Sequence, residues 1–98
     1  MIDSESAYER IKNYIRKTPV IKYKEHFFKL ESLQKSGSFK PRGAYNKILK
    51  NLNKINGVVC ASSGNHAQAV AKVCSDLGIK NVKIIIPEKT PQIKVNKI

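Results

Sequence analysis

Apolar side chains recur every three or four residues in three stretches of the chain, and this spacing predicts three amphipathic helices. The first helix begins at one of two candidate N-caps, Asp3 or Ser6. It is expected to run to about Lys17, because Thr18 precedes Pro19 and the residue before a proline is driven out of the helical region.

The second and third helices are separated by a short polar loop. The second is predicted from about Phe39 to Asn56-Gly57. The third follows the loop Ser62–Asn65, and Gly78 is placed to end it as the residue after its C-cap. A further helix is expected to start within Thr90–Ile98, after Pro91.

Four short apolar stretches read as strands. Val20–Tyr23 and His26–Leu30 are expected to pair with each other. Gly57–Ala61 and Val82–Ile86 flank the third helix, and this order predicts a right-handed βαβ unit with parallel strands. Strands this apolar are expected to be covered on both faces. The predicted fold class is therefore α/β, with three helices, a βαβ unit and parallel strands.

Composition narrows the class of protein. The 98 residues give room for one small domain, and 41% of them are hydrophobic and 27% charged, as in globular chains. Apolar runs are too short to cross a membrane, and Met1–Glu9 lacks the apolar core of a secretory signal. Cys60 and Cys74 lie in apolar segments, so we expect reduced core residues in a cytoplasmic protein.

The net charge of +12 raises the question of nucleic-acid binding. Nineteen residues are Lys or Arg, but they are spread along the chain and do not alternate with aromatic side chains as in a stacking platform. We interpret the lysines as a solvated surface, expect no nucleic-acid partner, and keep a small basic nucleic-acid-binding module as the remote alternative.

Lys40 stands at a chemically unusual place, the predicted start of the second helix. Helix N-termini carry partial positive charge and favour acidic residues, but Lys40 and Arg42 occupy the first turn beside Pro41. An amine held there is biased toward its neutral, nucleophilic form, which a Schiff-base lysine needs. The alternative is an ordinary solvated lysine.

The loop Ser62-Ser63-Gly64-Asn65-His66 joins a predicted strand to the third helix. Free amides at such a helix start, with hydroxyl and amide side chains beside them, form a site for a carboxylate or a phosphate. Ser and Asn are equally typical of an N-cap, so a purely structural loop is the alternative. His26, His66 and two distant cysteines do not form a zinc site, and we predict no metal.

Three segments together resemble the fold-type II pyridoxal-phosphate enzymes, in the branch of threonine dehydratase (threonine ammonia-lyase) and serine racemase. They are Lys29–Gln34, Ser36–Ala44 and Ala61–Gln68. The resemblance implies pyridoxal 5′-phosphate as cofactor and a hydroxy amino acid, threonine or serine, as substrate. It also implies that the full-length form is a homo-oligomer.

The resemblance assigns roles by position. Lys40 matches the lysine that binds the cofactor covalently and acts as catalytic base, and Phe39 matches the residue packed against the cofactor ring. Asn65 matches the residue that hydrogen-bonds the 3′-oxygen of that ring. Ser62, Ser63, Gly64, Asn65 and His66 match the loop that cradles the substrate carboxylate.

The implied reaction is dehydration of threonine or serine to a 2-oxo acid and ammonia. Ser63 leaves serine racemization open, because serine racemases have Ser there as the second catalytic acid/base. The resemblance covers only the N-terminal portion of the family. It implies that residues 1–55 open the large domain with the cofactor-lysine helix, and that residues 56–98 open the small βαβ domain.

The family's glycine-rich loop for the cofactor phosphate has no counterpart among the five scattered glycines. We therefore expect the remainder of both domains to be missing and the isolated chain to be incomplete and inactive. A truncated, non-catalytic remnant is the alternative.

Overall fold

The computed structural model describes residues 3–98 as a mixed α/β fold with two small sheets. Within that part of the chain there are four α-helices and four strands, and the fourth helix is the one expected to start after Pro91. The helices are α1 (Ser4–Ile11), α2 (Lys40–Asn51), α3 (Asn65–Asp76) and α4 (Gln92–Asn96), and the strands are β1 (Val20–Tyr23), β2 (His26–Lys29), β3 (Val58–Ala61) and β4 (Val82–Ile85).

Helix α1 begins at one of its two predicted caps but ends early. The Asp3 side chain accepts a hydrogen bond from the Ser6 amide at 2.9 Å, so Asp3 is the N-cap. The prediction that the helix reaches Lys17 is wrong, because α-helical structure ends at Ile11. Beyond Ile11 the chain continues as turns. The Gln34 side-chain amide fixes the end of this stretch, since it accepts a hydrogen bond from the Arg16 amide at 2.9 Å and donates one to the Arg16 carbonyl at 2.8 Å.

Strands β1 and β2 form the predicted pair, an antiparallel hairpin with Val20 opposite Lys29 and Tyr23 opposite His26. Lys24 adopts a left-handed conformation in the tight turn between them, with φ of 55°. Every residue of both strands is exposed, so the hairpin contributes no residue to the core.

Helix α2 buries one face and presents the other to solvent. It buries Pro41, Ala44, Tyr45 and Ile48. The prediction that it continues to Asn56-Gly57 is wrong, because the chain tightens into a 3₁₀ turn at Leu52–Lys54. Tightening of the last turn is a common way to satisfy terminal carbonyl groups.

The second half of the chain forms the predicted βαβ unit. Strands β3 and β4 are parallel, with Val58 opposite Val82 and Ala61 opposite Ile85, and α3 connects them. Gly78 follows the C-cap of α3 in the left-handed region, with φ of 70°, as predicted. The fold class is thus confirmed.

The expectation that both faces of this sheet are covered is wrong for the residues described. Helix α3 lies on one face, where Cys60 is buried. On the opposite face Val59 is 68% exposed and Ile85 is 60% exposed. A single connecting helix can cover only one face, which explains the open one.

One core joins α1, α2, β3 and α3. Tyr45, Val73 and Cys74 lie at its centre, and Cys60 and Cys74 are both buried and free, as predicted. Burial raises the pKa of both thiols. The core crosses the predicted boundary between residues 1–55 and 56–98, and the division into two domains stays a prediction. No helix between residues 3 and 98 is long and apolar enough to cross a membrane.

Candidate functional site

Lys40 is the first residue of α2, and its side chain is exposed. The Lys40 ammonium lies 4.9 Å from the centre of the Phe39 ring, which is itself 58% exposed. Within residues 3–98 the Lys40 amine has no ion-pair or hydrogen-bond partner, whereas its backbone amide donates to the Ser38 hydroxyl at 3.4 Å. The sequence therefore places a free primary amine and an aromatic ring side by side at the helix start.

The acid that the first turn of α2 lacks is supplied by Glu31. Arg42 donates two hydrogen bonds to the Glu31 carboxylate, from Nε at 2.9 Å and from Nη2 at 2.7 Å. The Thr18 hydroxyl donates a third, at 2.6 Å. The hydrogen bonds from Arg42 are the largest cause of a Glu31 pKa lowered from its usual 4.5 to about 2, with burial opposing the shift.

The segment between Glu31 and Lys40 is folded tightly. The Gln34 carbonyl accepts from the Gly37 amide at 2.9 Å, and the buried Gln34 side chain accepts from the Lys35 amide at 3.0 Å. Ser36 and Gly37 are both left-handed, with φ of 61° and 77°. This turn directs the chain from the Gln34 anchor into α2.

The loop before α3 is organised by Ser62. Its hydroxyl accepts hydrogen bonds from the amides of Gly64 at 3.2 Å and Ala67 at 3.3 Å, and its own amide donates to the Ile85 carbonyl at 3.1 Å. Ser62 thus caps α3 from outside the helix and ties the loop to the end of β4.

The remaining amides of the loop are free. Within the described part of the chain, the backbone N–H groups of Ser63, Asn65 and His66 have no acceptor. Such groups carry the positive end of the helix dipole and can bind an anion. The side chains of Asn65 and His66 are exposed, and that of Ser63 is partly exposed.

An open groove of about 460 Å³ lies beside this loop, lined by Ala61, Ser62, Ser63, Ile85, Ile86 and Pro87. Lys40 and Phe39 are not among its lining residues. The structure therefore assembles the predicted site in two parts. The amine and ring stand at the start of α2, the amides stand at the start of α3, and the two helices pack against each other through the core. No cluster of metal-ligating side chains occurs within residues 3–98.

Comparison with known proteins identifies the family. The pyridoxal-phosphate dependent enzyme family matches residues 11–98. The chain belongs to this family. The match includes α2 with Lys40 and the loop from Ser62 to His66, and it confirms the resemblance and the expected cofactor.

Two curated relatives represent two activities. The chain is 47% identical to the catabolic L-threonine dehydratase of Staphylococcus aureus over 103 residues, which cover 94% of this chain and 30% of the dehydratase. It is 43% identical to the serine racemase of Dictyostelium discoideum over 108 residues, covering 98% of this chain and 32% of the racemase. The chain therefore spans about a third of the length of these relatives.

A solved structure confirms the fold. The crystal structure of the serine racemase from Dictyostelium discoideum superposes with a TM-score of 0.85 and 41% sequence identity, covering 95% of this chain and 34% of that one. The described residues thus have the fold of the corresponding third of a fold-type II pyridoxal-phosphate enzyme.

Sequence reasoning missed the contact between Glu31 and Arg42. The signal was available, since a helix start with two cations and no acid predicts that a carboxylate comes from elsewhere. The partner could not be chosen from seven acidic residues without the geometry of the intervening turn.

Proposed function

We propose that this chain is the lysine-bearing part of a pyridoxal-phosphate-dependent dehydratase that converts threonine or serine to a 2-oxo acid and ammonia. The observation that carries the proposal is the free amine of Lys40 at the start of α2, beside an exposed aromatic ring. The family match and the identity to a threonine dehydratase support it.

The residues present fit part of the cofactor and the substrate. A primary amine without an ion-pair partner is available to the cofactor aldehyde at Lys40, and Phe39 offers a ring face next to it. Asn65, at the first position of α3, carries a side-chain amide that would hydrogen-bond the 3′-oxygen of the cofactor ring. The chemistry that bound pyridoxal phosphate would supply there is delocalisation of the electron pair left at the substrate Cα.

The loop from Ser62 to His66 would hold the substrate carboxylate. The free amides of Ser63, Asn65 and His66 supply donors at the positive end of α3, and the Ser62 hydroxyl keeps the loop in shape by capping Gly64 and Ala67. A carboxylate fixed there orients the Cα–H bond of the substrate. Lys40 Nζ then accepts the Cα proton.

The overall reaction balances without an external oxidant or reductant. The β-hydroxyl leaves with a proton as water, one water is taken up on hydrolysis, and the amino group departs as ammonia. The atoms of threonine are therefore divided between 2-oxobutanoate and ammonia.

Serine racemization is the second candidate, favoured by one residue. The Ser63 hydroxyl has no hydrogen-bond partner within residues 3–98, so it is available to exchange a proton with the Cα face opposite Lys40. The identity to the Dictyostelium serine racemase supports this alternative.

A hybrid enzyme tests the proposal. Residues 1–98 replace the matching 30% of the Staphylococcus aureus dehydratase. We expect pyridoxal phosphate to bind with its visible absorption band, and threonine and serine to release ammonia. Lys40→Ala should abolish both band and ammonia, whereas Lys47→Ala, an exposed lysine on the same helix, should preserve them.

Each outcome has a defined meaning. A band that persists in Lys40→Ala contradicts the role of Lys40, and a folded hybrid without ammonia release supports a non-catalytic remnant. D-serine production that Ser63→Ala removes supports the racemase. If the first hybrid does not fold, residues 1–98 replace the matching 32% of the Dictyostelium serine racemase instead, and the same variants are made in that second hybrid.

A further inference from the structure

We propose that Glu31 is a positioning residue for Lys40, which it holds in place through Arg42. The inference rests on the proposed function for its catalytic consequence, but its structural part is independent of that function.

The contact is two-pronged and anchored on a third residue. Nε and Nη2 of Arg42 reach different oxygens of Glu31, at 2.9 Å and 2.7 Å, which fixes the plane of the carboxylate against the plane of the guanidinium. The Thr18 hydroxyl donates to Glu31 at 2.6 Å, and Lys29 Nζ donates to the Thr18 carbonyl at 2.6 Å. Glu31 is thus held from two sides.

This ion pair is partly shielded from solvent. The exposed fractions are 28% for the Arg42 side chain and 18% for the Glu31 side chain, whereas the i,i+3 pair of Lys12 and Glu9 is 41% and 66% exposed. Shielded, bidentate pairs with a further hydrogen bond contribute more than exposed single contacts.

The pair closes the loop that leads to Lys40. Glu31 and Arg42 are 11 residues apart, and Lys40 lies two residues before Arg42 on the same helical turn. The loop contains Ser36 and Gly37 in left-handed conformation. Opening the pair would free the end of this loop that leads into α2. The first turn of α2 would then be released, because its N-cap residue Phe39 makes no side-chain hydrogen bond and the Ser38 hydroxyl accepts from the Lys40 amide only at 3.4 Å.

The ion pair with Glu31 also gives the two cations in the first turn of α2, Lys40 and Arg42, different electrostatic surroundings. Arg42 is neutralised by Glu31, while the Lys40 amine is left without an ionic partner among the described residues. A free guanidinium next to Lys40 could instead compete for the anions that the site is proposed to bind.

The test uses the 98-residue chain and two charge-matched variants. Glu31→Gln removes the proposed anchor, and Glu9→Gln removes the same charge from an exposed ion pair on α1. Hydrogen exchange of residues 34–40 should accelerate about 5- to 10-fold in Glu31→Gln, since local opening governs exchange. The ratio of Lys40 to Lys47 acetylation by trace acetic anhydride should change at least about twofold. Glu9→Gln should alter neither.

The labelling ratio separates positioning from general stability, because both lysines lie on α2 and the measurement is made far below the unfolding temperature. Unchanged exchange and an unchanged ratio in Glu31→Gln would overturn the inference. Arg42→Lys keeps the charge but loses the two-pronged contact, so it should reproduce the effect of Glu31→Gln.

The hybrid enzyme distinguishes this inference from the proposed function. In one outcome, Lys40→Ala abolishes cofactor binding but Glu31→Gln leaves unchanged the fraction of cofactor that is covalently bound to Lys40. The proposed function then stands and the positioning role fails. If Lys40→Ala has no effect while Glu31→Gln still changes local exchange in the chain, the proposed function fails and Glu31 retains its structural role.

Discussion

The Tyr45 hydroxyl on α2 donates a hydrogen bond to the carboxylate of Asp76, the last residue of α3. Two lysines reach the same carboxylate, Lys72 at 3.1 Å and Lys35 at 3.7 Å. Burial, and then the hydrogen bond to Asp76, raise the pKa of Tyr45, so its hydroxyl remains a donor. This contact ties the helix that begins at Lys40 to the helix that begins at the Ser62–His66 loop.

Tyr45→Phe should lower the free energy of unfolding by about 1–2 kcal/mol. The ring would still fill the core, but the Asp76 carboxylate would lose its neutral donor and keep only the lysines. Urea unfolding of the two proteins measures the difference. Tyr8→Phe is the control, because Tyr8 is 47% exposed. Equal stability of Tyr45→Phe and the parent chain would show that the hydrogen bond contributes nothing.

The contribution of Glu31 should disappear in acid. Its pKa falls from 4.5 to about 2 on folding, first through the hydrogen bonds from Arg42. A carboxylate whose folded-state pKa is lowered stabilises the fold fully above its unfolded value and loses that stabilisation as the pH falls through the folded value. At neutral pH we expect roughly 1–2 kcal/mol from this partly shielded group.

Thermal unfolding of the parent chain and Glu31→Gln checks this pH dependence. The variant should be less stable at pH 7, and the gap should close between about pH 4.5 and pH 2. Glu9→Gln should show a small gap at every pH, since Glu9 pairs with Lys12 in solvent. A gap for Glu31→Gln that stays constant down to pH 2 would contradict the lowered pKa.

Local sequence signals predicted the parts of the fold that depend on neighbouring residues. Gly78 ends α3 because its left-handed conformation favours glycine, and the apolar runs at β3 and β4 pair as parallel strands around a connecting helix. Thr18-Pro19, by contrast, did not mark the end of α1, which ends at Ile11. Local signals could not predict the contact of Gln34 with the Arg16 backbone either, because the two residues are 18 positions apart in the sequence.

The sequence predicted which residues form the candidate site, but not which contacts these residues make with one another. Lys40 is a cation at a helix start, where acidic residues are favoured, and this exception identified it as a candidate functional residue. Side-chain geometry determines which residue neutralises Arg42. It also determines which serine of the loop caps α3. Ser62 caps α3, whereas Ser63 has no hydrogen bond from its side chain within residues 3–98.

This difference between the two serines gives a matched pair of variants. Ser62→Ala should destabilise the chain by about 1 kcal/mol, because the amides of Gly64 and Ala67 lose their acceptor. Ser63→Ala should change the free energy of unfolding by less than about 0.5 kcal/mol. Urea unfolding measures the free energy of unfolding of both variants. Equal effects would mean that Ser62 is not the cap.

Gly57 lies at a position where the βαβ unit leaves too little space for a Cβ atom. A Cβ atom there would lie 2.7 Å from the Asn81 carbonyl oxygen and 2.5 Å from Asn81 Nδ2. The carbonyl cannot move cheaply, because it accepts the Val58 amide at 2.9 Å where β3 and β4 begin to pair. Gly57→Ala should therefore destabilise the chain by roughly 1–3 kcal/mol.

Gly43 provides the opposite case on α2. A Cβ there would meet nothing within 4 Å, and Gly43 is exposed inside a helix. Gly43→Ala should stabilise the chain by roughly 0.5–1 kcal/mol, because alanine loses less backbone entropy than glycine on folding. Thermal unfolding should move the two alanine variants in opposite directions from the parent. If Gly57→Ala is as stable as Gly43→Ala, the close approach of Asn81 to β3 does not exist in solution.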